Sequence, residues 1–459
     1  METLDRFFKI KERGSTFGTE IRAGLVTFIT MAYILPVNSG MLAEAGLDQG
    51  AVFMATALAA ALGTILMGLL AKLPLAQAPG MGLNAFFTYT VVFAMGYSPS
   101  FALAAVLVEG VIFIILSLTN IRTKLLSALP KQLRLAISAG IGLFILFIGL
   151  KNAGIIIADG ATFVAVNPAV NPLAGTPTVS FAILGIIITA ALWALKVKGS
   201  LLIGIFLTWV LGMICQITGF YVPNIDAGMY SMFPTGLVSA PPSIAPTFGL
   251  AFGGLQEAFA NSESIFQFII VMLTFLYVDI FDTLGCFAGV ATKANMMDEN
   301  GSFPGVGKAF TSDAIATTAG AILGTSTVTT FIESAAGVEE GGRTGLTAIV
   351  TALLFLIAIP FYPIISAIPS FATAPALVMV GVMMCEVLKD FEWSSPDALI
   401  PGVVTIIFMV LGYSISAGIM WGAIFYLIIK AVTGKAKEPG AVMWVLGVLF
   451  VIKLFILKI

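Results

Sequence analysis

The sequence predicts an all-α polytopic membrane protein with about fourteen transmembrane segments. Three observations predict this class: 59% of the 459 residues are hydrophobic, 10% are charged, and the mean hydropathy is +1.05. Soluble domains average about 25% charged residues, so most of the chain is expected to lie in lipid. Residues 1–20 are too charged for a cleavable signal peptide, and the first segment is therefore expected to be retained.

Apolar stretches of near-spanning length recur along the chain, since a spanning helix needs roughly 20 apolar residues. The first seven segments are predicted near Arg22–Leu42, Val52–Ala71, Leu75–Met95, Phe101–Leu118, Leu133–Leu150, Phe181–Leu195 and Leu201–Ile217. The second seven are predicted near Ile265–Ala291, Ala309–Leu323, Val328–Gly337, Thr344–Pro360, Ala372–Leu388, Leu399–Leu411 and Ile415–Ile429. Met443–Leu457 contains Lys453 and is predicted to be an interfacial helix.

The cationic residues predict the orientation, because Lys and Arg concentrate in cytoplasmic loops. The two long loops at residues 154–177 and 218–264 contain neither, and are predicted to lie outside. Arg134 is assigned to the inner side, and Lys151 alone falls on the outer side. We therefore expect a multi-pass protein of the bacterial cell (inner) membrane with a cytoplasmic N-terminus.

A faint internal repeat divides the chain. Three matches recur in order, roughly half the chain apart: Thr27-Phe28 with Thr274-Phe275, Gly63–Leu66 with Gly320–Leu323, and Gln77–Gly80 with Glu333–Ala336. Because seven segments per half is odd, the second copy must be inverted, and inverted repeats place ligands at the midplane in discontinuous helices. The predicted units are a first repeat at 1–217, an outer loop at 218–264, a second repeat at 265–433 and a cytoplasmic or interfacial tail at 434–459.

The third and tenth segments are predicted to be broken helices. Residues 73–82 contain two prolines and two glycines, so we expect extended backbone followed by a short helix from about Gly82. Residues 325–331 are β-branched and rich in hydroxyls, which favours an extended stretch before a short helix near Glu333. Irregular backbone at membrane depth survives only inside protein or beside a cavity. The alternative is a pair of ordinary kinked helices.

Carboxyl groups occur deep in two of these segments. Asp279 and Asp282 are three residues apart in the eighth segment, so they are expected on one helix face. Buried carboxyls in membranes normally face a cavity and serve function, and at least one of this pair is expected to carry a proton. Glu333 is a third acid, whereas its predicted repeat equivalent, Gln77, is neutral. The alternative is that an aspartate only hydrogen-bonds Thr or backbone groups.

Other features exclude function classes. The absence of histidine removes His metal sites and Ser-His catalysis, and leaves Asp and Glu as the proton-handling side chains. The three cysteines have neither metal-ligand nor disulfide spacing. We therefore predict no enzyme activity, no metal and no cofactor. Glu109, in the fourth segment, is either structural or lines the cavity, and the sequence does not decide between them.

Five motifs carry a resemblance to a known family: Gly24–Tyr33, Ala78–Ala85, Val278–Gly285, Glu333–Gly337 and Gly341–Thr347. With them the sequence resembles the nucleobase–cation symporter family (xanthine/uracil permease superfamily), in its AzgA-like guanine/hypoxanthine permease branch. The resemblance implies the uracil-permease fold, with a core domain at 22–118 plus 265–360 and a gate domain at 133–217 plus 372–433.

The resemblance also implies proton symport of a purine nucleobase (hypoxanthine, guanine or adenine). It places Asn84, Asp279 and Glu333 at the substrate, and Asp279 with Asp282 in proton coupling. Uracil-type relatives have a histidine in the eighth segment, and its absence here fits the purine branch. The proton and the lipid bilayer are the other expected partners, nucleic acid is not one, and a homodimer is left open.

Rival functions remain at this stage. A relative of the same fold could carry uracil or xanthine, use Na⁺ instead of H⁺, or carry an anion. An anion carrier is expected to have a cationic residue at the midplane, and none is predicted there. A membrane-embedded enzyme is the rival from another class, and the missing histidine and nucleophile-base motifs argue against it.

Overall fold

The structure is a computed structural model that describes residues 2–118, 130–168, 177–224, 226, 230–293 and 305–456. Among these residues, ten helices are long and apolar enough to cross a membrane. Two shorter apolar helices, Met81–Ala94 and Pro396–Val410, correspond to the predicted third and thirteenth segments. The mostly helical, multi-span class is therefore confirmed. The number of fourteen segments, the inverted relation of the halves and the interfacial tail stay predictions.

The helices are numbered in chain order. Those of the first half are α1 (Glu2–Phe8), α2 (Phe17–Met31), α3 (Ile34–Glu44), α4 (Gln49–Leu66), α5 (Met81–Ala85), α6 (Pro99–Leu118), α7 (Lys131–Asn152), α8 (Pro177–Ala194) and α9 (Ser200–Ile217). Those that follow are α10 (Leu250–Ala258), α11 (Ser262–Lys293), α12 (Val306–Leu323), α13 (Ser334–Glu339), α14 (Gly345–Ala358), α15 (Tyr362–Ser366), α16 (Ser370–Met384), α17 (Pro396–Val410), α18 (Ile415–Val432) and α19 (Ala441–Ile456). The strands are β1 (Gln77–Pro79), β2 (Ile156–Asp159), β3 (Phe163–Val166) and β4 (Val328–Thr330).

The two segments predicted to be broken meet as a pair of short strands. In the third segment β1 precedes α5, which continues as the π-helix Phe86–Ala94, and in the tenth β4 precedes α13. β1 and β4 are antiparallel, with Gln77 opposite Thr330 and Pro79 opposite Val328. The predicted extended stretches are therefore confirmed, and the alternative of ordinary kinked helices is wrong.

Two threonines satisfy the backbone groups that this strand pair turns outward. The Thr64 hydroxyl on α4 accepts from the Gln77 amide at 2.9 Å and donates to the Gln77 carbonyl at 3.1 Å. The Thr317 hydroxyl on α12 does the same for Val328, at 3.2 and 2.9 Å. A buried backbone group without a partner is costly, so each strand depends on one hydroxyl of a neighbouring helix.

The strand pair also corrects one predicted equivalence. Gln77 lies within β1, four residues before α5 begins, whereas Glu333 directly precedes α13. The residue that matches Gln77 in its backbone contacts is Val328. The predicted equivalence of Gln77 and Glu333 is therefore wrong, because the stretch between strand and helix is longer in the tenth segment.

The helices pack in two groups. Helices α2, α4, α6, α11, α12 and α14 contact one another, and α7, α8, α9, α16, α17 and α18 form a second set of mutual contacts. Small residues permit close approaches within the first group: Gly345 lies against the Gly68 carbonyl, and Gly110 lies against Thr318. These groups follow the predicted core and gate ranges, although that division as domains stays a prediction.

We predict that Thr64→Val and Thr317→Val each lower the free energy of unfolding by about 1–3 kcal/mol, because each change leaves a buried N–H and C=O unpaired. Thermal unfolding of the purified protein in detergent measures this. The matched control is Thr208→Val, since the Thr208 hydroxyl donates only to the Gly204 carbonyl of its own helix. Equal unfolding temperatures for the three variants would contradict the role of the threonines.

Candidate functional site

A narrow cleft separates the two packing groups beside the strand pair. Its first wall contains Gly82 of α5 and Val278 and Asp282 of α11. The opposite wall is formed by α7 and α16, including Arg134, Ser138 and Met384. Gly82 is required for this geometry, because a Cβ there would lie 2.6 Å from Ile141 on α7. The cleft is therefore bordered by a broken segment, a predicted site acid and the other helix group.

Asp282 is the predicted acid that borders the cleft. Its Oδ2 accepts a 3.3 Å hydrogen bond from the hydroxyl of Thr329 in β4, and Arg134 lies on the opposite wall. Helix α7 begins at Lys131, so Arg134 lies in its first turn and not in a solvent loop. Arg134 is thus a cationic side chain at the cleft near the first turn of α7, and the absence of Lys and Arg from the membrane midplane stays a prediction.

Asn84 joins the two broken segments. It is fully buried in α5, and its Oδ1 accepts from the Ser326 hydroxyl, while its Nδ2 donates to the Pro79 carbonyl over 3.4 Å. The predicted site residue thus lies beside the strand pair. In this conformation its amide is bonded within the protein.

Glu333 directly precedes α13 and is half-buried. Its Oε1 accepts a 2.7 Å hydrogen bond from the hydroxyl of Tyr33, which is fully buried at the break between α2 and α3. Sequence reasoning assigned Tyr33 no role. Pro36 gave the available signal, because proline disfavours helix in the turn before it, and a polar group at a membrane helix break is a candidate for the site.

Asp279 lies behind the strand pair and does not border the cleft. Its carboxyl is fully buried and faces that of Glu109 on α6. Residues three apart on a helix differ in direction by about 60°, so Asp282 points to the cleft while Asp279 points into the interior. The predicted pair is thus close, but its two members have different surroundings.

Asp313 on α12 is a buried acid that sequence reasoning missed. Its Oδ1 accepts from the Gln77 side-chain amide at 2.7 Å, and its Oδ2 from the Thr283 hydroxyl at 2.6 Å. The same argument that selected Asp279, an acid within an apolar segment, could have selected Asp313. Over the described residues, no group of three or more acids and cysteines is arranged to hold a metal ion.

At the other end of α7, polar contacts join the two helix groups. The Asn152 amide donates to the Tyr89 hydroxyl at 3.0 Å and to Glu44 at 3.3 Å. Tyr89 in turn donates to Glu44 at 2.9 Å, and the Lys151 ammonium lies 5.3 Å from the centre of the Tyr89 ring. The cleft thus lies near the first turns of α7, and these contacts lie at its last turn.

The family profile and two similar relatives that match this chain are named as permeases. The profile of the permease family Xan_ur_permease matches residues 18–421. The guanine/hypoxanthine permease PbuG of Bacillus subtilis is 45% identical, with 99% of this chain and 100% of the relative aligned. The adenine permease AdeP of Escherichia coli is 38% identical, with 98% and 96% aligned. Among solved structures, the membrane domain of the cyanobacterial bicarbonate transporter BicA superposes with a TM-score of 0.61 at 15% identity, over 88% of this chain and 96% of that one.

We predict that a cysteine at position 138 reacts with a water-soluble thiol reagent, because Ser138 lines the cleft. The background is a variant in which the three native cysteines are replaced by serine. A cysteine at Ser39, which is buried in α3, is the matched control and is expected to stay unmodified. Equal labelling of both positions, measured by mass spectrometry, would show that the cleft is not accessible to water.

Proposed function

The chain belongs to this permease family, and from that membership we propose that it is a secondary active transporter that imports purine nucleobases by proton symport. The proposed substrates are hypoxanthine and guanine, with adenine as a further candidate, because these are the bases named for its relatives. The observation that carries the proposal is the meeting of two broken segments beside a cleft, with Asn84, Asp282 and Glu333 around them. Homologous permeases are transporters, so enzyme activity is not part of the proposal.

The proposed purine contacts follow from hydrogen-bonding chemistry. A purine presents ring and exocyclic N–H donors beside ring nitrogen acceptors, and carboxylates accept from such donors. Glu333 is half-buried and within electrostatic range of Asp282, so we assign it the purine N–H groups. Asn84 offers both a donor and an acceptor once its bond to Ser326 opens. A direct contact of Asp279 with the purine requires its carboxyl to leave the interior, so its burial favours the proton-coupling role.

Alternating access is proposed to occur between the core and gate domains. The cleft lies at one end of α7 and the Asn152 contact lies at the other. Opening would break the contact of Asn152 with Glu44 and Tyr89, and bring Arg134 closer to the core. Purine and proton together would shift the population between the two states.

A second candidate is an anion carrier, favoured by one observation: Arg134 lines the cleft. The likeness to a bicarbonate transporter shows the fold alone at 15% identity. The acid Asp282 on the opposite wall of the same cleft is unfavourable for an anion. Coupling to Na⁺, and transport of uracil or xanthine, are tested by the same uptake experiment.

We predict uptake of radiolabelled hypoxanthine, guanine or adenine by purine-transport-deficient bacteria that express the chain. A protonophore is expected to abolish accumulation, while replacement of Na⁺ by choline is expected to leave it unchanged. Asp279→Asn is expected to remove accumulation, because an amide cannot bind and release the proton. Uptake of bicarbonate or uracil, with no purine uptake by protein present in the membrane, would reject the substrate proposal.

We predict that Glu333→Gln and Tyr33→Phe both raise the KM for purine, the first more strongly. Glu333→Gln removes a hydrogen bond between the purine and a charged group, which is worth about 1.5–3 kcal/mol, so it should raise KM about tenfold or more. Tyr33→Phe removes only the hydroxyl that holds the Glu333 carboxylate in place, so it should raise KM less. Its matched control is Tyr221→Phe, which removes a hydroxyl that bonds the Tyr230 carbonyl in the predicted outer loop. If Glu333→Gln kept full affinity and uptake, the role assigned to Glu333 would be wrong.

A further inference from the structure

Two buried acids, Glu109 on α6 and Asp279 on α11, face each other behind the strand pair. Both side chains are fully buried. Among the residues that the structure describes, none lies in hydrogen-bonding geometry to any of their four carboxyl oxygens, and the nearby Thr327 hydroxyl is likewise unpaired. The polar neighbours are therefore the other acid and, for Glu109, the Thr327 hydroxyl, and the sequence alone left the role of Glu109 undecided.

The nearby Asp313 shows that this arrangement is not general to the protein interior. Asp313 accepts hydrogen bonds from the Gln77 amide and the Thr283 hydroxyl, at 2.7 and 2.6 Å. A buried carboxylate with such donors is tolerated, whereas one without them is strongly disfavoured. The chain thus places donors in hydrogen-bonding geometry for Asp313, and none in that geometry for Glu109 and Asp279.

A shared proton resolves the conflict between the two carboxyl groups. If one is protonated, its O–H donates to the other, which supplies the missing donor and leaves a single negative charge. The titratable groups that face the pair are Asp313 on α12 and Asp282 on α11, and both are acids. On the side of the tenth segment the neighbour is the uncharged hydroxyl of Thr327.

We propose that Glu109 and Asp279 together form the proton-binding site of the transporter, with one proton shared between their carboxyl groups. Asp282, less than one helical turn from Asp279, borders the cleft and is the route by which the proton exchanges with water. Thr327 couples this site to the substrate, because its carbonyl accepts from the Gly80 amide at the start of α5. The inference rests on the proposed proton symport and adds Glu109 as a coupling residue.

The test uses purified full-length protein in liposomes. In Glu109→Gln the amide keeps the shape and donates an N–H to Asp279, so the pair no longer needs the proton. We expect accumulation of hypoxanthine driven by a pH gradient to be lost, and exchange of labelled for unlabelled hypoxanthine to stay near wild type. The matched control is Glu257→Gln on α10, a helix that packs against α6, where Glu109 lies. Glu257 accepts hydrogen bonds from the backbone amide and the hydroxyl of Ser98. It should retain both activities.

Two results would overturn the proposal. One is gradient-driven accumulation by Glu109→Gln that equals that of the wild type. The other is loss of exchange together with accumulation in a variant that is folded in the membrane, which would assign Glu109 to purine binding or to structure. Wild-type protein that exchanges no purine, or moves it without protons, would instead reject the proposed function.

Infrared spectroscopy tests the shared proton without any transport. The wild-type protein should show the C=O stretch of a protonated carboxyl group, and Glu109→Gln and Asp279→Asn should each change that band. A band that neither variant changes would overturn the proposal. Asp279→Asn also serves as the second variant if Glu109→Gln does not fold.

Discussion

The structure depends on one constraint, that backbone polar groups at membrane depth need partners within the protein. The third and tenth segments each leave the helix for a few residues, and the groups released there pair with the other segment. Thr64 and Thr317 satisfy the groups that point away from the pair. Neither broken segment can therefore exist alone, and the two halves of the chain are joined at the centre of the fold.

The pleat of the strand pair explains why the acids divide into two sets. Opposite residues of an antiparallel pair share a face, and faces alternate along each strand. Gln77 and Thr330 are opposite each other, and both donate to Asp313 in the interior. Thr329, on the other face, donates to Asp282 at the cleft. A strand pair three residues long thus separates an interior set of acids from the cleft.

Residue preferences along the chain predicted where the third and tenth segments leave the helix. Prolines and glycines in residues 73–82, and β-branched residues in 325–331, predicted the breaks, and the motifs predicted the family. The contacts of Tyr33 with Glu333 and of Gln77 with Asp313 join residues more than 200 positions apart, and no spacing rule reports them. Helical spacing also placed Asp279 and Asp282 on one face, although a difference of about 60° decides which one reaches the cleft.

Arg134 shows how an uncertain helix boundary affects a functional argument. The sequence assigned Arg134 to the inner side of the membrane, where it gives no information about the ligand. In the structure Arg134 lies in the first turn of α7 and lines the cleft opposite Asp282. The cleft therefore has both a cationic and an acidic side chain on its walls. For the proposed purine, such walls offer both donors and acceptors of hydrogen bonds. If transport is the proposed proton symport, a chain without histidine carries the proton on carboxyl groups, and the interior acids hold it without competing with the base for the same oxygen atoms.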